Sequence, residues 1–275
     1  MKRMTTIPAF LAILALAFSL TACDDFFSSG WGNPREYRVE NINLTVNNIE
    51  RWFDRSIGNP PLAARVNEAI LLRLEDYLSP EDRRVFQRYG VRIAVSSSNM
   101  GVIILSNALD VLANLADFDD MEDEDIEEML LDILGSIQND FRNAGGVAAG
   151  ENIANMIGGD IDTTAAGVPT FNADSFVHEA SPSEVAMAIM VLTLAIVEDS
   201  QYADSISDWE NFDLEALDVG LDINDEGQVI VTGDDTNPKV LVLAAYLNLI
   251  KADSGRFEDN FLTGAIRDAF ARAED

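Results

Sequence analysis

One thiol, one imidazole and 48 carboxylates set the chemistry open to this 275-residue chain. Cys23, the only cysteine, follows the small pair Thr21-Ala22 and carries the chain's one nucleophilic thiol. No second cysteine exists to form a disulfide within the chain, so stability must come from packing. His178 is the only imidazole, and the Gly-x-Ser-x-Gly turn that would present a serine to it is absent. Zinc sites built from His and Cys are excluded by the counts. Gly145-Gly146 and Gly150 are not followed by Gly-Lys-Ser/Thr, so no phosphate loop is indicated. Carboxylate pairs for hydrolysis occur in any chain this acidic, and spacing singles out none of them.

Four polar groupings remain. Asp222-Ile223-Asn224-Asp225-Glu226-Gly227 carries oxygen donors on Asp222, Asn224 and Glu226 at loop positions 1, 3 and 5, with glycine at 6. It resembles the start of an EF-hand loop, which would imply calcium, but that loop needs a bidentate acid at position 12, where Gly233 stands. A polar hairpin turn accounts for the same residues. Asn107, Asp110 and Asn114 form a thin polar stripe on an otherwise apolar segment, a candidate lining for a ligand groove between helices. The acids from Asp119 to Asp125 precede an apolar helical run, where the positive end of the helix dipole favours them. Arg84, Arg88 and Arg92 recur at i, i+4 and i+8, able to meet lipid phosphates or the acids of this chain.

The thiol gains its meaning from what precedes it. Lys2 and Arg3 lead into the apolar run Ile7–Leu20, too short for a bilayer span of about 20 residues and right for a secretory leader. Leu20-Thr21-Ala22-Cys23 then resembles a bacterial lipobox. That resemblance implies diacylglycerol on the Cys23 sulfur, cleavage before Cys23, and membrane anchoring by acyl chains contributing about 0.8 kcal/mol per buried CH₂. The expected organisation is a leader over 1–22, a lipidated tether over 23–44 and a helical domain over 45–275, with a Gly/Ala-rich connection near 143–170. Asp24 and Asp25 resemble the signal that retains enterobacterial lipoproteins at the periplasmic face of the inner membrane; outer membrane and cell surface are the alternatives.

Loss of Lys2 and Arg3 with the leader leaves 16 basic against 48 acidic residues, a net charge of −32. Such a surface repels nucleic acid and anionic headgroups as general partners. The charge is uneven: Arg35 to Arg92 holds ten arginines against nine acids, whereas Ile93 to Asp275 holds six bases against 37.

Helices must position all of this. Thr45 is a candidate N-cap for a segment with apolar residues at Ile49, Phe53 and Ile57, ended by Gly58. Asn59-Pro60, Ser79-Pro80, Ser181-Pro182 and Asn237-Pro238 are four further helix starts, each a capping residue followed by proline at the first helical position. The runs Val185–Val197 and Val240–Ile250 are apolar nearly all round, interrupted by Thr193 and Asn248, and read as buried helices. Glu122–Arg142 and Phe257–Ala273 are amphipathic. The stretch 143–170 reads as a connection around a short helix, Ile153–Ile157, and Leu221–Thr232 as a β-hairpin.

The fold class expected is mainly α, an array or bundle of antiparallel helical hairpins with one small β-hairpin near 221–232. The recurring capped helices resemble, in architecture alone, the tetratricopeptide-like repeats of lipoproteins that accompany solute transporters; the 34-residue repeat pattern itself is absent. The function expected is a non-enzymatic binding or scaffolding module in the cell envelope, held to the membrane through Cys23 and engaging another envelope protein. The alternatives are a transporter accessory taking a small or apolar ligand in a cavity lined by Ala188, Val191, Ala195, Ala244 and Leu247, and a calcium-binding lipoprotein.

Overall fold

Four of the helices begin with the capping signals expected of them. The computed structural model describes residues 42–100, 103, 140–198, 221–232 and 237–257. Helix α1 (Ile49–Ser56) is followed by α2 (Pro60–Leu74), where the Asn59 side chain accepts a hydrogen bond from Leu62 N–H. In α3 (Pro80–Ser97) the Ser79 hydroxyl accepts from Asp82 N–H. In α5 (Pro182–Val197) Ser181 and Glu184 form a reciprocal capping box, and in α6 (Pro238–Ala252) Asn237 accepts from Lys239 N–H. Proline at the first position wastes no donor, because the first helical N–H groups have no partner inside the helix. Asn48, not Thr45, is the N-cap of α1; the Thr45 carbonyl accepts from the N–H groups of Asn48 and Ile49.

The stretch expected to be a connection around a short helix is the centre of the molecule. Gly146–Ile157 forms a three-turn helix, α4, that packs on α5, α3, α6 and α2, with Ala149, Ile153, Ala154, Met156 and Ile157 buried. Small residues make this position possible. A Cβ on Gly150 would collide with the Cβ of Ala195 on α5, and one on Gly90 of α3 with the Met156 side chain. Composition alone suggested a loop because the residues that permit close helix approach are also those that lack large apolar side chains. The same stretch continues through a 3₁₀ turn (Gly158–Asp160) into a hairpin of β1 (Ile161–Thr163) and β2 (Pro169–Phe171).

That hairpin has a twin. The expected hairpin of β3 (Leu221–Ile223) and β4 (Val229–Val231) pairs Leu221 with Val231 and Ile223 with Val229, as β1–β2 pairs Ile161 with Phe171 and Thr163 with Pro169. Both place glycine at the same point of the turn with positive φ, +78° at Gly167 and +71° at Gly227. Both close it with the same bonds: Thr164 N–H to Val168 O at 3.0 Å, and Asn224 N–H to Gln228 O at 3.0 Å. A side-chain oxygen then takes the returning N–H, Thr164 Oγ1 from Val168 in one and Asn224 Oδ1 from Gln228 in the other. Each hairpin is followed by a proline-started apolar helix, α5 after the first and α6 after the second.

The hairpins lie side by side, Val231 N–H donating to Gly167 O at 3.3 Å, and α6 binds both through one side chain. Asn248 Nδ2 donates to Pro169 O at 3.0 Å and to Val229 O at 2.8 Å, while its Oδ1 accepts from Val229 N–H at 2.8 Å. The residue that interrupts the apolar run of α6 thus meets three backbone groups that would otherwise be buried without partners.

A final short helix, α7 (Ser254–Phe257), brings Arg256 to the carbonyls of Val177 and Ala180, just before α5 begins. One apolar core runs from Ile42 to Phe257. The fold is mainly α, with these two small hairpins among the described residues. No described helix is long and apolar enough to cross a membrane. Asn248→Leu keeps the volume but orphans the Val229 N–H and two carbonyls, and is expected to lower unfolding free energy by about 2–4 kcal/mol in urea titration.

Candidate functional site

Among the described residues a polar cleft opens where the C-terminal ends of α2 and α4 converge on the first turns of α3. Its volume is about 550 Å³, and its walls come from Leu71, Leu74 and Glu75 of the α2 end, Arg83 and Gln87 of α3, and Asn155, Met156, Gly159 and Asp160 of the α4 end. Two helix C-termini meeting in one place give it a surplus of carbonyl dipoles pointing inward. Arg83 answers one of them: its Nη2 donates to Leu74 O at 2.9 Å.

Gln87 forms the floor and is 1% exposed. Its Nε2 donates to Met156 O at 2.9 Å and to Asp160 Oδ2 at 3.0 Å. Both partners are acceptors, so the amide orientation follows from chemistry and the Oε1 lies on the other side. That Oε1 is buried and accepts no hydrogen bond. Asp160 is half-buried, and burial pushes its carboxyl above the ordinary value of 3.8; hydrogen bonds from Gln87 and Ser175 and the charge of Arg83 oppose the rise, and Asp174 adds to it. Neither Asp160 nor Arg83 has a salt-bridge partner within 4.0 Å among the described residues.

The residues singled out by sequence sit elsewhere. Asp222, Asn224 and Glu226 belong to the β3–β4 hairpin, where Asn224 Oδ1 accepts from the N–H groups of Glu226 and Gln228, and Asp222 Oδ1 from Ile223 N–H. Two of the three donors proposed for calcium therefore cap backbone groups. The twin turn, Thr164 to Gly167, adopts the same shape without an acid. Among the described residues no group of three or more His, Cys, Asp or Glu is arranged to hold a metal ion. His178 Nε2 lies 2.9 Å from Asn172 O, with no serine hydroxyl bonded to it among the described residues. Ala188, Val191, Ala195, Ala244 and Leu247 are buried in the core, and the cleft lies away from them. Cys23, the stripe Asn107, Asp110 and Asn114, and the acids 119–125 lie outside the described residues.

Two of the three arginines of the series, Arg88 and Arg92, take a structural role. Arg88 Nε and Nη2 reach the two oxygens of Glu184 at 3.3 and 3.2 Å, and Arg92 Nε lies 3.2 Å from the same carboxylate while its guanidinium stacks over Phe53 and Tyr89. Glu184 also accepts from Ser181 N–H at 2.7 Å as part of the α5 cap. Burial alone would raise its pKa, but the Ser181 bond and the two guanidiniums outweigh that and hold it below the usual carboxylate range.

The cleft residues escaped sequence reasoning for identifiable reasons. Gln87 lies among Phe86, Gly90, Val91 and Ala94, all buried, so a polar residue within the apolar face of α3 was the available signal. Asp160, behind Gly158-Gly159, carried none.

Two carboxylates of opposite behaviour give a pH test. Glu184, with its folded-state pKa depressed, contributes stability that is present above its ordinary value of 4.5 and lost as pH falls through the folded value. Glu184→Gln is expected to cost about 1–3 kcal/mol at pH 7 and progressively less in acid. Asp160, raised, carries a penalty that is present above its folded value and absent below 3.8. Asp160→Asn is therefore expected to raise the urea midpoint at pH 7 and leave it unchanged at pH 3. Comparison with protein-family models, curated proteins and solved structures finds no match to this chain.

Proposed function

We propose that this protein is a lipid-anchored, non-enzymatic binding module of the bacterial cell envelope, attached through Cys23 and acting through the cleft between α2, α3 and α4. The observation that carries the anchoring is the ordered series Lys2-Arg3, apolar Ile7–Leu20 and Leu20-Thr21-Ala22-Cys23. The net negative charge argues against nucleic acid as the partner. The binding role draws support from the polar cleft and from the engagement of His178 and Asn224 with backbone groups.

Within that role a small solute fits better than a purely structural contact. A concave site of this volume with a few convergent polar groups is the usual form of a small-molecule pocket. This favours service to a solute transporter as the second reading, with the ligand in the cleft and not in the apolar core.

Anchoring is tested by expressing the full chain in a bacterial host. The mature amino-terminal peptide is expected to begin at Cys23 with the added mass of diacylglycerol, and the protein to sediment with membranes. Cys23→Ala is expected to retain the leader and lose the lipid mass. An intact leader or a free Cys23 thiol in the wild type would overturn the anchor, and hydrolysis of glycan, peptide or ester substrates would overturn the non-enzymatic assignment.

A further inference from the structure

The cleft holds both signs of charge with no ion pair within 4.0 Å between them among the described residues. Asp160 is a half-buried carboxylate held in place by Gln87, and Arg83 acts on it from beyond that distance. Arg83 spends Nη2 on Leu74 O and keeps its remaining N–H groups. The carbonyl end of α4 lies beside Asp160 through Gln87, and the end of α2, followed by the exposed Glu75, lies beside Arg83. A bare divalent cation would meet the guanidinium of Arg83, and a bare anion the carboxylates of Asp160 and Glu75. A molecule carrying both charges meets each with its opposite. Leu71, Leu74 and Met156 add an apolar part to the wall beside Asn155 and Gly159.

From this juxtaposition we propose that the cleft binds a small zwitterion of the amino-acid type with an apolar side chain. Its ammonium sits on Asp160, its carboxylate on Arg83, and its side chain against Leu71, Leu74 and Met156. Charge-assisted hydrogen bonds at both ends fix the orientation, and the apolar wall adds side-chain burial. The floor completes the device. Gln87 commits both of its N–H bonds, one to the α4 end and one to Asp160, so the carboxylate is positioned before a ligand arrives. The proposal deepens the binding role assigned to the cleft and rests on it, while the lipid anchor stands or falls separately on the mass of the Cys23 peptide.

The test is isothermal titration of the full chain, purified in non-ionic detergent, with three compounds of one carbon skeleton. L-leucine carries both charges, 4-methylpentanoate only the carboxylate, and 3-methylbutylamine only the amine. L-leucine is expected to bind about tenfold or more tightly than either control. Asp160→Asn and Arg83→Gln are each expected to weaken L-leucine by a similar factor, about tenfold. Because Asp160→Asn is expected to raise the melting point, its loss of binding is separable from loss of fold. No heat from L-leucine, equal binding by a single-charge control, or unchanged affinity in a folded Asp160→Asn protein would each overturn the assignment.

Discussion

Everything in this fold turns on how closely other helices can approach α4. A central helix surrounded by neighbours must present small residues to at least some of them, because protein interiors are close-packed and a single added methyl group has nowhere to go. Gly150 against Ala195 meets that demand on the α5 side, and Gly90 does so from α3, where Met156 fills the space a Cβ would take. The close approach does more than bury area. It brings the end of α4 beside the first turns of α3, and so sets Met156 O and Asp160 within reach of Gln87.

Most polar groups inside the core follow a common rule, though Asn67, fully buried on α2, keeps its amide without a partner. Asn248 serves three backbone groups of two hairpins, Arg256 serves two carbonyls before α5, and Glu184 joins a helix cap to two guanidiniums. In each case a buried charge or amide supplies partners to groups that burial would otherwise leave unmet. The cleft departs from that rule. Gln87 keeps an oxygen without a donor, and Asp160 has no ion pair within 4.0 Å among the described residues. Such residual polarity costs stability, and here it lies on the floor and wall of a cleft.

Much of the helical framework could be read from residue types. Asn59-Pro60, Ser79-Pro80, Ser181-Pro182 and Asn237-Pro238 mark helix starts through local chemistry, which needs no knowledge of the tertiary fold. The all-apolar runs of α5 and α6 announced their own burial in the same way. The region 143–170 was illegible because glycine and alanine signal a loop in isolation and a tight helix crossing in context, and only the neighbour decides between them. The first hairpin was missed for a related reason. Its turn, Thr164-Ala165-Ala166-Gly167, lacks the run of polar residues that flagged Asn224-Asp225-Glu226-Gly227, although the glycine and the strand pairing recur sixty positions apart. Arg88 and Arg92 showed their shared face, but not that a carboxylate nearly a hundred residues away would occupy it.

Strands of three residues paired only with each other have almost no stability of their own. Both ribbons here borrow it from Asn248 and hence from α6, whose residues Val240 to Ile250 are buried almost without exception. The ribbons and the helix therefore form one cooperative unit. The Val229 N–H is buried and bonded to Asn248, so freeing it to solvent requires the α6 side chain that holds it to move as well.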